Sequence, residues 1–231
     1  MIVGSTRLAD ELVMALEYGD QDYVRLDDPE RVVDFSAPAF RANAVINAAE
    51  PYAEELSATV AAACAQARLP LLRATPPSFA RLAGASRWQW VDSFDAARDA
   101  AAGFPGAVLT ALSPLRLAER LGDLGGRSAG VHRRRLPAEP PLPGWAREPT
   151  RSRYGLSGAL AAIAEHRARL LVAADSGDDD VGCFLRAAER RDLDVVIVRR
   201  PDGGEAVSDA AAAFAWLNGL HHINSGGRAD I

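Results

Sequence analysis

The sequence predicts an α/β protein built on a mostly parallel sheet. Short apolar runs alternate with amphipathic or alanine-rich segments along most of the chain, the order that builds βα units. One of those runs, Val195–Val198, is apolar throughout, and a helical pattern precedes and follows it. The chain has 231 residues, 48% of them apolar, enough for one large α/β domain or two small ones sharing a cleft.

The elements follow in order. Ile2 and Val3 make a very short strand ahead of Gly4-Ser5-Thr6. Leu8, Leu12 and Leu16 then recur every four residues across 7–17, the spacing of an amphipathic helix. Strands are expected at 22–26 and 43–48, a helix at 52–67 and a strand at 70–73. Further on, 88–91 reads as a strand, 94–102 as a helix, 107–110 as a strand and 114–121 as a helix. Five prolines between Pro137 and Pro149 mark a connecting segment. Helices at 156–168, 179–191 and 208–217 alternate with strands at 170–173 and 195–198, with Ser208 as the expected cap of the last helix. The residues from 221 onward are expected to form a flexible tail.

Composition narrows the function. The net charge of −5 gives no general attraction to nucleic acid. All 26 basic residues are arginine, so Schiff-base chemistry is excluded and anions must be held by arginine, helix N-termini or backbone amides. Cys64 and Cys183 lie far apart, and neither they nor the four histidines show metal-ligand spacing. No apolar run approaches the ~20 residues of a membrane span. A cytoplasmic protein with reduced thiols, as a monomer or homodimer, is the expectation.

Four stretches could carry chemistry. The turn Gly4-Ser5-Thr6 between a strand and a helix can bind phosphate through its amides, or be an ordinary βα turn. In Asn47-Ala48-Ala49-Glu50-Pro51-Tyr52, Glu50 could be a general acid at a strand end. Pro51, Glu54 and Glu55 are equally good helix-start chemistry. In the stretch from Asp175 to Asp180, the carboxylates could hold a cation, or Asp175 or Ser176 could cap the next helix. The arginines Arg133, Arg134, Arg135, Arg147, Arg151 and Arg153 could bind a polycarboxylate or phosphate, or line a solvated face.

Taken in order, these stretches resemble the precorrin-6A reductase family of cobalamin biosynthesis, from Ile2 to about Leu220. Gly4-Ser5-Thr6 stands where that family has Gly-Gly-Thr, and Asn47-Ala48-Ala49-Glu50-Pro51-Tyr52-Ala53 where it has Asp-Ala-Thr-His-Pro-Phe-Ala. Pro70-Leu71-Leu72-Arg73 and Leu109-Thr110-Ala111 follow in family order, then Arg151-Ser152-Arg153-Tyr154 and Ala173-Ala174-Asp175-Ser176-Gly177. Val196-Ile197-Val198-Arg199-Arg200-Pro201 matches the family's last strand.

The resemblance implies two Rossmann-like halves with a cleft between them, expected at residues 1–95 and 96–220. It implies hydride transfer from NADPH or NADH to a tetrapyrrole-like polycarboxylate. Gly4, Ser5, Thr6, Asp27 and Ala48 would then meet the cofactor. Glu50 and Tyr52 would be catalytic, and Thr110, Arg151, Arg153, Tyr154, Ser176 and Gly177 would hold substrate, with no metal. The chain departs from the family where Glu50 replaces histidine and Ala174 replaces lysine. It is also shorter between its first helix and residue 43, where the family has a strand ending near the adenosine ribose. If 22–26 supplies that strand, Asp27 and Asp28 follow it, and carboxylates there favour a 2′-hydroxyl over a 2′-phosphate. A diverged paralogue that lost or changed the cofactor, and acts on or only binds another small anion, is the alternative.

Overall fold

The computed structural model describes residues 1–26, 42–111, 128–130, 146–147 and 155–225. The first elements are β1 (Ile2–Val3), α1 (Arg7–Tyr18), β2 (Arg25–Leu26), β3 (Val45–Asn47), α2 (Glu54–Ala67) and β4 (Leu71–Arg73). Two short 3-10 turns, Phe79–Arg81 and Ala83–Arg87, lead to β5 (Gln89–Val91), α3 (Phe94–Ala102) and β6 (Ala107–Ala111). Then come β7 (Ser128–Gly130), β8 (Ala146–Arg147), α4 (Leu156–Glu165), β9 (Ala168–Ala174), α5 (Asp179–Arg190), β10 (Asp194–Val198) and α6 (Ala210–Ser225). Every described strand pairing is parallel.

The first compact unit joins Met1–Pro77 to Pro201–Ile231. Its sheet runs β2-β1-β3-β4. Successive strand residues face opposite sides, and the core divides accordingly. Ile2 and Ile46 pack with Leu8, Leu12 and Leu16 of α1 and Ala213 of α6. Val3 and Val45 pack on the other side with Val60 and Cys64 of α2. The three leucines are 1–5% exposed, and each contributes about 1.5–3 kcal/mol of burial. The helix ends at Gly19, where a Cβ would lie 2.7 Å from the Phe214 ring of α6, so the glycine permits the two helices to pack closely.

The second unit is Ser78–Arg200, with the sheet order β5-β10-β9-β6-β7-β8. Leu109, Leu171, Ala173 and Ile197 form one core with Phe184 and Leu185 of α5 and Ala159, Ala162 and Ile163 of α4. The strands β9 and β10 are almost wholly buried, as parallel strands covered on both faces should be. α3 packs against β5, β9 and β10.

The unit boundaries differ from the expected division at 95/96. β5 pairs in parallel with β10, and Phe79 and Trp88 are buried in the second core, so the first crossing falls at Pro77/Ser78. The chain crosses back at Arg200/Pro201 because α6 packs on α1. The expected flexible tail is helical to Ser225. Local starts differ as well. α2 begins at Glu54, after a turn at Pro51. The cap at the start of α6 is Asp209, whose carboxylate accepts from the Ala212 amide at 2.8 Å, not Ser208. The helix expected at 114–121 lies outside the described residues. Among the described residues, no helix is long and apolar enough to cross a membrane.

Candidate functional site

Open parallel sheets bind ligands outside the carboxyl ends of their strands, where the strand order reverses. In the first unit that point lies between β1 and β3, because β2 follows β1 on one side and β3 lies on the other. Gly4 leaves β1 with φ +123, and a Cβ there would lie 2.5 Å from the Ala48 carbonyl oxygen. Only glycine permits this approach of the two turns. The Thr6 hydroxyl donates to the Ala48 carbonyl at 2.8 Å and accepts from the Ala9 amide at 3.2 Å. It therefore caps α1 and ties the β1–α1 turn to the β3–α2 turn. The amides of Ser5, Thr6 and Leu8 carry no hydrogen bond among the described residues. They stand open at the positive end of a 12-residue helix.

The β3–α2 turn is equally defined. Asn47 is 5% exposed, and its side-chain oxygen accepts from the Ala49 amide at 3.1 Å, an Asx turn that aims the chain outward. The Ala48 amide donates to the Val3 carbonyl at 2.8 Å. Glu50 is exposed at the tip, Pro51 is buried and Tyr52 is half-buried. The Glu50 carbonyl accepts from the Ala53 amide at 2.9 Å. The structure thus brings Gly4, Ser5, Thr6, Ala48, Glu50 and Tyr52 to the same edge of one sheet.

Two cations at this edge were given no role by the sequence. Arg25 of β2 donates to the Gly4 carbonyl at 3.2 Å and to the Asp10 carboxylate at 2.8 Å. Arg73 ends β4, in register with Asn47. Arg73 ends the family-order stretch Pro70-Leu71-Leu72-Arg73, but in an arginine-rich chain only the strand order shows that it and Arg25 share this edge.

In the second unit the order reverses between β6 and β9. Thr110 near the end of β6 is fully buried. Beyond β9, Asp175 is 3% exposed. Its carboxylate accepts from the Ser78 hydroxyl at 2.7 Å, the Phe79 amide at 2.8 Å, and Arg200 at 3.0 and 3.1 Å. It is therefore a brace, neither a helix cap nor an open cation ligand. Gly177 follows with φ +72, and the Ser176 hydroxyl accepts from the Asp178 amide at 3.2 Å. Asp178 caps α5 by accepting from the Asp180 amide at 2.8 Å. Thr110, Ser176 and Gly177 thus share the carboxyl edge of the second sheet.

Asp27, Arg151, Arg153 and Tyr154 lie outside the described residues, as do Arg133, Arg134 and Arg135. Arg147 lies on β8. Among the described residues no group of three or more His, Cys, Asp or Glu could hold a metal ion. A depression of about 310 Å³, lined by residues that include Ile163, Arg167, Arg169 and Leu193, lies at the opposite, amino edge of β9 and β10.

A glycine turn at the carboxyl edge of one parallel sheet and a polar loop edge on another define a two-unit α/β protein of the Rossmann-like class. Residues 5–218 match the family described as precorrin-6x reductase CbiJ/CobK, and the chain belongs to that family of cobalamin-pathway oxidoreductases. A solved structure of a CobK precorrin-6A reductase shares its fold, with a TM-score of 0.74 and 20% identity over 94% of each chain. No curated protein matches the sequence.

Proposed function

We propose that this chain reduces a precorrin-6x substrate with NADPH bound at the β1–α1 turn. The observation that carries the proposal is the Gly4 turn, closed against Ala48, with the Ser5, Thr6 and Leu8 amides open beyond it. Such a turn suits a dinucleotide diphosphate, which those amides and the positive end of α1 would hold. Arg25, whose guanidinium reaches the Gly4 carbonyl, supports NADPH over NADH, because a guanidinium near the cofactor turn suits a 2′-phosphate. Asp27, just beyond it in sequence, would act in the opposite sense.

When bound, the nicotinamide supplies the hydride. The protein's part is orientation and proton supply. Glu50, exposed at the tip of the β3–α2 turn, is the group placed to relay the proton that accompanies the hydride, and Tyr52 lines the same turn. Ser176 and Gly177, with Arg151, Arg153 and Tyr154, hold the carboxylates of the tetrapyrrole-like substrate, and Thr110, fully buried, supports that edge from within.

Titration of the pure protein with NADPH and NADH, followed by nicotinamide fluorescence, tests the cofactor. Saturable micromolar binding, tighter for NADPH, is expected. Absence of binding at millimolar cofactor would reject the proposal and leave the diverged paralogue. Glu50→Gln should bind NADPH normally and turn over slowly. Normal turnover would remove Glu50 from the mechanism.

A further inference from the structure

We infer that Arg73 is a substrate-binding residue, held by Gly203 and Thr75 to receive a carboxylate of the tetrapyrrole. The inference rests on the function proposed above. Arg73 ends β4 beside Asn47, the residue from which the chain turns toward Glu50. Neighbouring strands lie about 4.8 Å apart, so the guanidinium stem starts one strand away from the strand end that leads to the proposed proton donor. It lies on the β4 side of that donor, away from the cofactor turn after β1.

The guanidinium is placed with care. Its Nε donates to the Thr75 hydroxyl at 3.3 Å. Its flat group lies over Gly203, where a Cβ would come within 2.5 Å of Cζ and 2.7 Å of Nη2. The loop bearing Gly203 is fastened to β4 by two backbone bonds: the Val207 amide to the Arg73 carbonyl at 3.0 Å and the Thr75 amide to the Val207 carbonyl at 2.9 Å. The terminal nitrogens of Arg73 have no partner among the described residues.

The other described arginines of this unit are committed elsewhere. Arg7 pairs with Glu11, and Arg25 reaches the Gly4 carbonyl of the turn proposed for the cofactor. Arg68 follows α2, ahead of β4, at the amino edge. In a chain without lysine, Arg73 is the described cation of this unit best placed to meet a carboxylate at the carboxyl edge, and its planar fork suits that group.

The test uses the full chain with precorrin-6A and NADPH. Arg73→Gln should raise the KM for precorrin-6A roughly ten- to hundredfold and leave NADPH affinity unchanged. Gly203→Ala is the second variant. It retains the arginine, has no positive φ to strain, and meets only the mobile end of a side chain. It should raise the same KM, with an unchanged melting temperature, because the guanidinium is displaced. A KM unaltered in Arg73→Gln, or a matching loss of NADPH affinity, would overturn the assignment. An unaltered KM in Gly203→Ala would overturn the placement by Gly203. A wild-type chain that binds NADPH but never turns over precorrin-6A would reject the proposed function, and Arg73's role with it.

Discussion

Arg200 grips Asp175 through two hydrogen bonds, of 3.0 and 3.1 Å, and the same carboxylate receives Ser78 and Phe79. Ser78 is the first residue of the second unit and Arg200 the last. One buried carboxylate therefore fastens both crossing points to the end of β9. Arg200 is 19% and Asp175 4% exposed at the side chain, so the pair is only weakly screened. Removing one partner leaves a charge and two further donors uncompensated. Asp175→Ala is expected to cost about 3–5 kcal/mol in urea unfolding. Asp175→Asn, which keeps an acceptor, should cost less. A loss below about 1 kcal/mol for the alanine variant would show that the brace contributes little.

Gly4→Ala should fail for two independent reasons. Its φ of +123 is foreign to alanine, and the new Cβ would lie 2.5 Å from backbone oxygen, which cannot swing aside as a side chain can. The strain costs of the order of 1–3 kcal/mol. The turn should open, and NADPH binding should be lost with a lowered melting temperature. Native NADPH affinity in a folded Gly4→Ala variant would separate the turn from the cofactor.

Arg25→Met separates cofactor choice from stability. The Arg25–Asp10 pair is part-exposed, so its loss should cost less than about 1 kcal/mol. NADPH affinity should fall about tenfold, by one charged hydrogen bond, while NADH affinity holds. Equal losses for both cofactors would contradict a contact with the 2′-phosphate.

Cys64 and Cys183 are both free thiols, but only Cys64 is buried. Burial pushes the Cys64 thiol above its ordinary value, and the nearby Met1 amino group opposes that in part. Cys183 should therefore be alkylated first in the native protein. The raised folded-state pKa also fixes the direction of the pH effect. Stability from the neutral Cys64 thiol is complete below the unfolded thiol's pKa, about 8.5. It is lost as pH climbs through the raised folded value. Cys64→Ala should flatten that alkaline decline in urea unfolding. An unchanged slope would show that Cys64 does not cause it.

Local features were legible in the sequence. The four-residue spacing of Leu8, Leu12 and Leu16 located α1 and its buried face, and the Gly4 and Ala48 turns were marked by residue type and order. Long-range partners were not legible. Ser78, Asp175 and Arg200 meet across about a hundred residues, and no local pattern records that. The return of α6 onto α1 sets the unit boundary through packing between the two ends of the chain. Caps failed for a different reason. Asp175, Ser176 and Asp178 could each cap α5, and Ser208 and Asp209 could each cap α6. Only the turn at Gly177, with φ +72, and the register of the helix decide between neighbours of equal propensity.

Hydride transfer to a precorrin-6x substrate, from an NADPH whose diphosphate the Gly4 turn would hold, is the central proposal. Its most direct test is single-turnover mixing of the wild-type chain with precorrin-6A and NADPH deuterated at either face of nicotinamide C4, followed by mass analysis of the corrin. Transfer of one deuterium from one of the two labelled cofactors, abolished in Gly4→Ala, is the expected result. An unlabelled or unreduced corrin with both cofactors would contradict it.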